Sequence, residues 1–340
     1  MPNKPKTING LMKYLRDSKG LHISGGYQKR KLMNIGYYHG YKGYRYIAKP
    51  SNRVLFTQFD ELLAVYEFDM QIKALFYPVV MQIETAVKNY VLEAIVESIQ
   101  SDSFTDVYSK LLDNYKAFST TGKTYHTLHD REKAEDKFKK ELQRRLDLRN
   151  RIYGVQANAF KNDNKIAHHF LSKDKPLPIW GIFELLSLGE FGHFVSCLNM
   201  PCRSLISKKL GIQQSDDTNA MMPQRLIYTT KDLRNAIAHN DVVFDTRFKT
   251  GSIDNQVGNA IANATKVTGI KFDTITDYLV LLTYLLKLLG VSKKELRRLI
   301  ANFSEIQERL RSAIPTSVYN QIIHTDSNRK VQALKVFIAK

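Results

Sequence analysis

Only two of the 340 residues are cysteine, Cys197 and Cys202, and only one is tryptophan. Two thiols spaced C-x4-C without a second pair exclude a disulfide framework and give no zinc-site spacing, so a reducing cytoplasm is the expected home. No basic-plus-apolar leader opens the chain. Long apolar runs are missing too. The most apolar stretch, Tyr278 to Gly290, is too short for a bilayer span and contains Lys287, so it reads as a buried core helix of a soluble protein. The sequence shows no internal repeat, no Gly-rich phosphate loop and no nucleophile elbow. His168 and His169 form an isolated pair without Cys, Asp or Glu at ligand spacing, so neither a metal nor another cofactor is expected.

Acidic residues are also scarce, and unevenly so. Residues 1–59 hold twelve Lys/Arg against the single acid Asp17, whereas residues 60–107 hold two bases against nine acids. The net charge returns to +5 over 108–151 and +6 over 291–340, and the whole chain carries a formal +18. A merely soluble surface intersperses the signs. A segregated excess of this size predicts a polyanion partner, with nucleic acid first and acidic membrane second. The absence of a basic amphipathic terminus weighs against the membrane.

The remaining pattern is helical. Residues 7–22 read as a short helix with Leu11, Tyr14 and Leu15 on its apolar face and Gly20 at its end. Six tyrosines then occur between Tyr27 and Tyr46, interleaved with Lys29, Arg30, Lys31, Lys42 and Arg45. Aromatic faces such as Tyr37 and Tyr38 can stack on unpaired bases while the cations neutralise phosphates. The alternative is that Tyr37, Tyr38, Tyr41 and Tyr44 pack this module onto the main body.

From Thr57 to Gln100, Leu62, Val65, Tyr66, Asp69 and Ile72 follow helical spacing, and Pro78 is expected to kink or divide the run. Glu84 and Lys88 are expected to pair at the surface. Residues 131–154 read as a charged helix whose Arg144, Arg145 and Arg149 either track phosphates or are solvated. Beyond Pro176 and Pro178 a helix carries Trp180, Phe183, Leu186 and Leu188, with Gly189 and Gly192 marking its end or a close packing point. A loop is expected over 213–222, a loop or small hairpin over 242–270, an apolar helix over 274–289 and two or three helices over 292–340. The domains expected are a basic Tyr-rich module (1–58), a helical core (59–290) with a charged insertion at about 101–172, and a basic helical extension (291–340).

The stretch LRNAIAHND, Leu233 to Asp241, carries the most chemistry. On a helix, Leu226, Leu233 and Ile237 form a core-facing stripe, with Asn235 and His239 together on the opposite side and Arg234 on the flank. Imidazole exchanges protons near neutral pH, and guanidinium offers a fixed fork of donors to phosphate. Asn235 can orient the ring or donate to a bound oxygen. A structural alternative stays open: cations are favoured at helix C-termini, and Asn240 can end the helix in a left-handed conformation.

Five pieces, in order, resemble the Abi_2 family of bacterial abortive-infection proteins (AbiD/AbiF-like), a branch of the HEPN superfamily. They are KPKTINGLMKYLRDSKGLHI, IGYYHGYKGYRY, LLAVYEFDMQIKAL with QIETAVKNYV, PLPIWGIFELLSLGEFG and LRNAIAHND. The resemblance implies an all-α fold, a HEPN-type helical bundle, and a homodimer in which Arg-x4–6-His motifs of two protomers meet in a cleft. It implies a metal-independent endoribonuclease with Arg234 and His239 as motif residues and Asn235 as the polar residue after the Arg. Relatives silenced by nucleotide addition carry Tyr two positions after the His; here Asp241 departs from that pattern. Some members are associated with a structured non-coding RNA. The expected function is therefore an RNA-binding antiphage protein, cleaving RNA or, alternatively, binding it without catalysis.

Overall fold

The computed structural model describes residues 6–212, 215 and 217–340. Every regular element among them is helical, and β-type pairing is limited to isolated bridges at His22–Gln58, Tyr46–Arg53 and Ser103–Pro178. The fold is all-α, as expected. Among the described residues no helix is long and apolar enough to cross a membrane. In chain order the helices are α1 (Ile8–Lys19), α2 (Gly25–Ile35), α3 (Phe59–Ile99), α4 (Phe104–Lys110), α5 (Leu128–Lys161), α6 (Lys165–Leu171), α7 (Ile179–Leu185) and α8 (Leu188–Cys197). They continue as α9 (Met200–Lys209), α10 (Met222–Ala238), α11 (Asn255–Thr265), α12 (Ile275–Leu288), α13 (Lys293–Ala313), α14 (Thr316–Ile323) and α15 (Ser327–Ala339).

The chain divides into two compact units, one of residues 1–81 and 232–340 and the other of residues 82–231. In the first unit, α12 is buried from Ile275 to Leu286, all but its last two residues. It packs with α11, α13 and α15, so the basic tail forms part of a core. Phe76 of α3 stacks on Phe303 of α13 at 6.0 Å. Lys330 of α15 reaches the buried Asp277 of α12 at 2.7 Å and also pairs with Asp326 at 2.9 Å, while Asp277 accepts from the Lys271 and Phe272 amides, so both buried charges are compensated.

The expected short first helix is present. Thr7 caps α1 by accepting from the Gly10 amide, and Gly20 ends it at φ 67°. After α2, Gly36 turns the chain into a π-helical segment, Gly36–Lys42, which carries Tyr37, Tyr38, His39, Tyr41 and Lys42. Its Gly40 is required, because a Cβ there would sit 2.6 Å from Cγ1 of Ile35.

The second unit packs α5 against α6, α7 and α8. Within it the Glu84–Lys88 pair forms at 3.2 Å, but both side chains are buried rather than at the surface. Lys88 also donates to the Leu186 carbonyl at 3.0 Å, which helps satisfy its ammonium.

Three other expectations are corrected. Of the two outcomes expected at Pro78, a kink or a division, the division does not occur: α3 continues through it as one 41-residue helix. Ala74, whose carbonyl loses its partner, is exposed, so water can replace the missing N–H. The helix after Pro178 is two helices: Ser187 and Glu190 form a capping box that starts α8, and Gly189 and Gly192 lie inside it. Gly192 is a close packing point, since a Cβ there would come within 3.1 Å of the Tyr228 ring. Residues 242–270 contain no hairpin. Asp254 caps α11 by accepting from the Gln256 amide, and Val257, Ala260 and Ile261 are buried. Of the loop expected over 213–222, Gln213, Gln214 and Asp216 lie outside the described residues.

Candidate functional site

The end of α10 is built as the sequence leads one to expect. Leu226, Leu233 and Ile237 are buried, together with Ala236. Asn240 adopts φ 57°, the left-handed conformation that closes a helix. Its N–H bonds the Ile237 carbonyl at 3.2 Å and the Asp241 N–H bonds the Ala236 carbonyl at 2.8 Å, a Schellman ending. This ending sets the motif residues at the helix terminus. Arg234 and Asn235 are half-buried and His239 is exposed. Arg234 Nη1 lies 3.4 Å from Asn235 Oδ1, a long contact, while His239 meets Asn235 only through the helical N–H···O bond of 2.9 Å. Among the described residues no hydrogen bond, ion pair or ring contact engages the His239 imidazole.

The loop after the motif is held by a buried acid on α3. Asp69 is fully buried and its carboxylate meets four donors: the Val243 amide at 2.8 Å, the Phe244 amide at 2.7 Å, the Tyr44 hydroxyl at 2.7 Å and the Lys73 ammonium at 2.8 Å. Lys73 passes the tie on, donating to Asn240 Oδ1 at 2.9 Å. Complete burial pushes the Asp69 carboxyl upward, against the pull of Lys73, Tyr44 and the Val243 amide. Burial likewise pushes the Tyr44 phenol up, with the Asp69 charge acting in the same direction. One carboxylate thus joins the helix ending, the loop beyond it and the Tyr-rich segment.

A second tie lies four residues further on. Arg247 pairs with Asp245 and donates to the Gly43 carbonyl at 2.9 Å and the Tyr46 carbonyl at 2.6 Å. Asp245 accepts from the Ala48 amide at 2.7 Å, and the guanidinium lies 4.1 Å above the Tyr46 ring. Arg247 therefore fastens 43–48 to the loop after the motif.

These ties enclose a groove of about 470 Å³ whose walls include Tyr38, His39, Lys42, Arg45 and Tyr46 on one side and Asn240, Asp241 and Arg247 on the other. Tyr38 is 70% exposed and meets His39 edge-on at 5.3 Å. Lys42 lies over the Tyr37 ring and Arg45 over the Tyr41 ring. Tyr38, Lys42 and Arg45 are thus brought together at the groove, directly after the motif in the chain. The motif's own Arg234, Asn235 and His239 are not among the groove-lining residues.

The other candidates are placed elsewhere. Lys29 is half-buried and Arg30 exposed on α2, and Lys31 pairs with Glu67 at 3.2 Å. Tyr37 is half-buried, stacked on the buried Tyr41 at 5.7 Å. The tyrosines divide between packing (Tyr41, Tyr44) and exposure (Tyr38). In the second unit Arg144 contacts Glu141 at 3.1 Å and Ser196 at 3.0 Å. Arg145 donates to the Tyr108 carbonyl at 2.7 Å and covers its ring at 3.8 Å. Arg149 is exposed, 5.7 Å from the same ring. Arg144 and Arg145 are engaged within the protein and do not form an open row of cations.

Sequence reasoning passed over Lys73, His39 and the Asp245–Arg247 pair, and it read Asp69 only as a position on the helical stripe and Tyr44 only as a packing residue. The available signal was an acid and a base four apart, Asp69 and Lys73, on the stripe that also carries Val65 and Ile72. Among the described residues no group of three or more His, Cys, Asp or Glu side chains is placed to hold a metal ion.

The family model for Abi-like proteins (Abi_2) matches residues 30–245, well over half of the chain, from the Tyr-rich segment through the motif to Asp245. No curated protein and no solved structure matches the chain. With its all-α fold and this match, the chain belongs to the Abi-like protein family, which gives it a role in abortive infection.

Proposed function

We propose that this abortive-infection protein is a metal-independent endoribonuclease of the HEPN type, acting as a homodimer in the cytoplasm on RNA. The observation that carries the reading is the end of α10, which leaves the His239 imidazole exposed and unengaged beside Asn235, one turn from Arg234. Such an imidazole is available to exchange a proton with a substrate.

In the proposed reaction His239 takes the proton of a ribose 2′-hydroxyl, and the 2′-oxygen attacks the adjacent phosphorus. Arg234 stabilises the charge that builds on the phosphorane, and Asn235 orients one of the two groups. The bond to the 5′-oxygen breaks, and that oxygen receives a proton from His239 of the partner subunit. The products are a 2′,3′-cyclic phosphate and a 5′-hydroxyl. A single protomer supplies one such histidine, so dividing base and acid duties requires the dimer. Electrostatic stabilisation of this kind is typically worth about 3–4 kcal/mol per donor group, so Arg234→Ala is expected to slow cleavage by two to three orders of magnitude, by about that estimate.

The test uses purified protein, total RNA and EDTA. Wild type is expected to cleave, and His239→Ala to be inactive while keeping its fold. Equal cleavage by the two proteins would remove His239 from the mechanism.

A second reading is favoured by the groove: a non-catalytic protein that binds RNA, including a structured non-coding RNA. Tyr38, Lys42 and Arg45 line it, offering one exposed ring and two cations to an RNA strand. Under this reading Lys42→Ala with Arg45→Ala weakens RNA binding, and no condition yields cleavage dependent on His239.

A further inference from the structure

The second unit holds a pocket of about 480 Å³ between the chain after α3, one face of α5 and the PLPIW run of residues 176–180. Its walls include Phe104, Tyr153, Phe170 and Trp180. Phe104 meets Tyr153 edge-on at 6.0 Å, and Phe170 meets Trp180 edge-on at 5.7 Å, so the rings brace one another in two pairs. Tyr153 and Trp180 nevertheless stay 56% and 40% exposed. Large aromatic side chains left open along a concave surface have ring area to offer a ligand.

The polar lining narrows the ligand class. Gln156 of α5 lines the pocket with only 9% of its surface exposed, and among the described residues its amide makes no hydrogen bond. Its nitrogen and oxygen keep contact with the open space of the pocket, so their hydrogen-bonding capacity is free for a ligand. The amide carries both a donor and an acceptor in one plane. An acyl chain or a proline ring in the pocket would cover the amide and leave it unmatched. A planar ring with donors and acceptors along its edge would match it and lie against the aromatic wall. Asp102 and Lys175 also line the pocket, with opposite charges, so it has no strong bias toward a phosphate.

We propose that this pocket binds an unpaired nucleobase, the ring lying against the Trp180–Tyr153 wall and the Gln156 amide pairing with the base edge. The base can arrive as a free nucleotide or as one residue of single-stranded RNA. The site is separate from the Arg234–His239 motif and does not depend on that motif cutting RNA.

Trp180 is the only tryptophan in the chain, so its fluorescence reports on this pocket alone. The full-length protein is titrated with the four nucleosides, their 5′-monophosphates and a short single-stranded oligoribonucleotide, at low and at high salt. At least one nucleoside is expected to quench Trp180 saturably, with little dependence on salt. Gln156→Leu is expected to weaken that binding about tenfold or more, with little change in Tm, since the amide it removes makes no hydrogen bond within the protein. Tyr153→Ala, at an exposed position, is expected to weaken it as well and serves if Gln156→Leu folds poorly. A nucleoside or monophosphate that binds as tightly as the oligoribonucleotide identifies a free nucleotide as the ligand, and tighter binding of the strand identifies RNA. The proposal is overturned if no nucleoside, nucleotide or strand quenches Trp180. It is equally overturned if Gln156→Leu and Tyr153→Ala bind like wild type, or if an oligoproline peptide quenches where nucleosides do not.

Discussion

Asp69 organises the loop that follows the motif. Removing it deletes four interactions at once and leaves the buried Lys73 ammonium with Asn240 and the Met70 sulfur but no counter-charge. Asp69→Ala is therefore expected to cost about 3–5 kcal/mol in urea unfolding. Tyr44→Phe removes one hydrogen bond to a charged group and is expected to cost about 1.5–3 kcal/mol. If Asp69→Ala changed stability by less than the Tyr44 variant, the carboxylate would not be the hub. His239 behaves oppositely. Its side chain is exposed and has no hydrogen bond, ion pair or ring contact among the described residues, so His239→Ala is expected to leave stability within about 0.5 kcal/mol of wild type. Any loss of activity in that variant then belongs to chemistry and not to unfolding.

At the scale of the helices, two positions allow clear tests. A Cβ on Gly258 of α11 would sit 2.6 Å from the backbone carbonyl oxygen of Ile270, which cannot swing away as a side chain can. Gly258→Ala is expected to destabilise the first unit by about 1–3 kcal/mol, read as a lowered Tm. His193 of α8 offers a pH test in the second unit. Burial, and after it the nearby positive Arg144, hold its imidazole below the ordinary value of 6.5. The unfolded chain then takes up the proton more readily than the folded one. The stability it contributes is intact above pH 6.5 and is lost as pH falls through the lower folded value. His193→Phe is expected to shrink the drop in Tm between pH 7 and pH 5, and an unchanged drop would assign the acid sensitivity to other groups.

How far the elements can be read from sequence follows from what defines each one. Helices α1 and α12 are legible, because a cap or an unbroken apolar run marks them. The left-handed Asn240 and the stripe of Leu226, Leu233 and Ile237 are legible for the same reason. The helix α11 is not, because its buried face is made of Val, Ala, Gly and Ile between asparagines, a composition that reads as loop until Asp254 caps it. The break before α8 is also hidden, since apolar residues continue across it and only the Ser187–Glu190 capping box marks it. The π-helical segment has no sequence period of its own; Gly36 and Gly40 permit it, and tertiary contacts such as that of Tyr44 with Asp69 hold the chain beyond it.

Across the whole molecule, the excess of +18 in formal charge is plain in the sequence, but its use is not. Lys31 is paired with Glu67, Arg145 covers Tyr108, and Arg247 is spent on Asp245 and two carbonyls. Lys42 and Arg45 line the groove instead. Sequence spacing cannot separate these fates, because an arginine that tracks phosphates and one that braces a loop look alike until the partner is placed by the fold. Under the proposed RNA-binding role, affinity for RNA is expected to fall steeply with salt, since released counterions drive binding to a polyanion. The double variant Lys42→Ala with Arg45→Ala is expected to flatten the slope of log K against log salt by about one to two, by the same counterion estimate. An unchanged slope would place the RNA away from the groove.

The most direct measurement of RNA cleavage at the Arg234–His239 motif is made in infected cells. RNA is collected from cells carrying either wild type or His239→Ala, and ends bearing 2′,3′-cyclic phosphate are mapped by sequencing. New cyclic ends at discrete sites in wild type, absent with His239→Ala, are the expected result. Identical end maps from the two proteins, with protection against phage retained by both, would contradict a ribonuclease centred on His239.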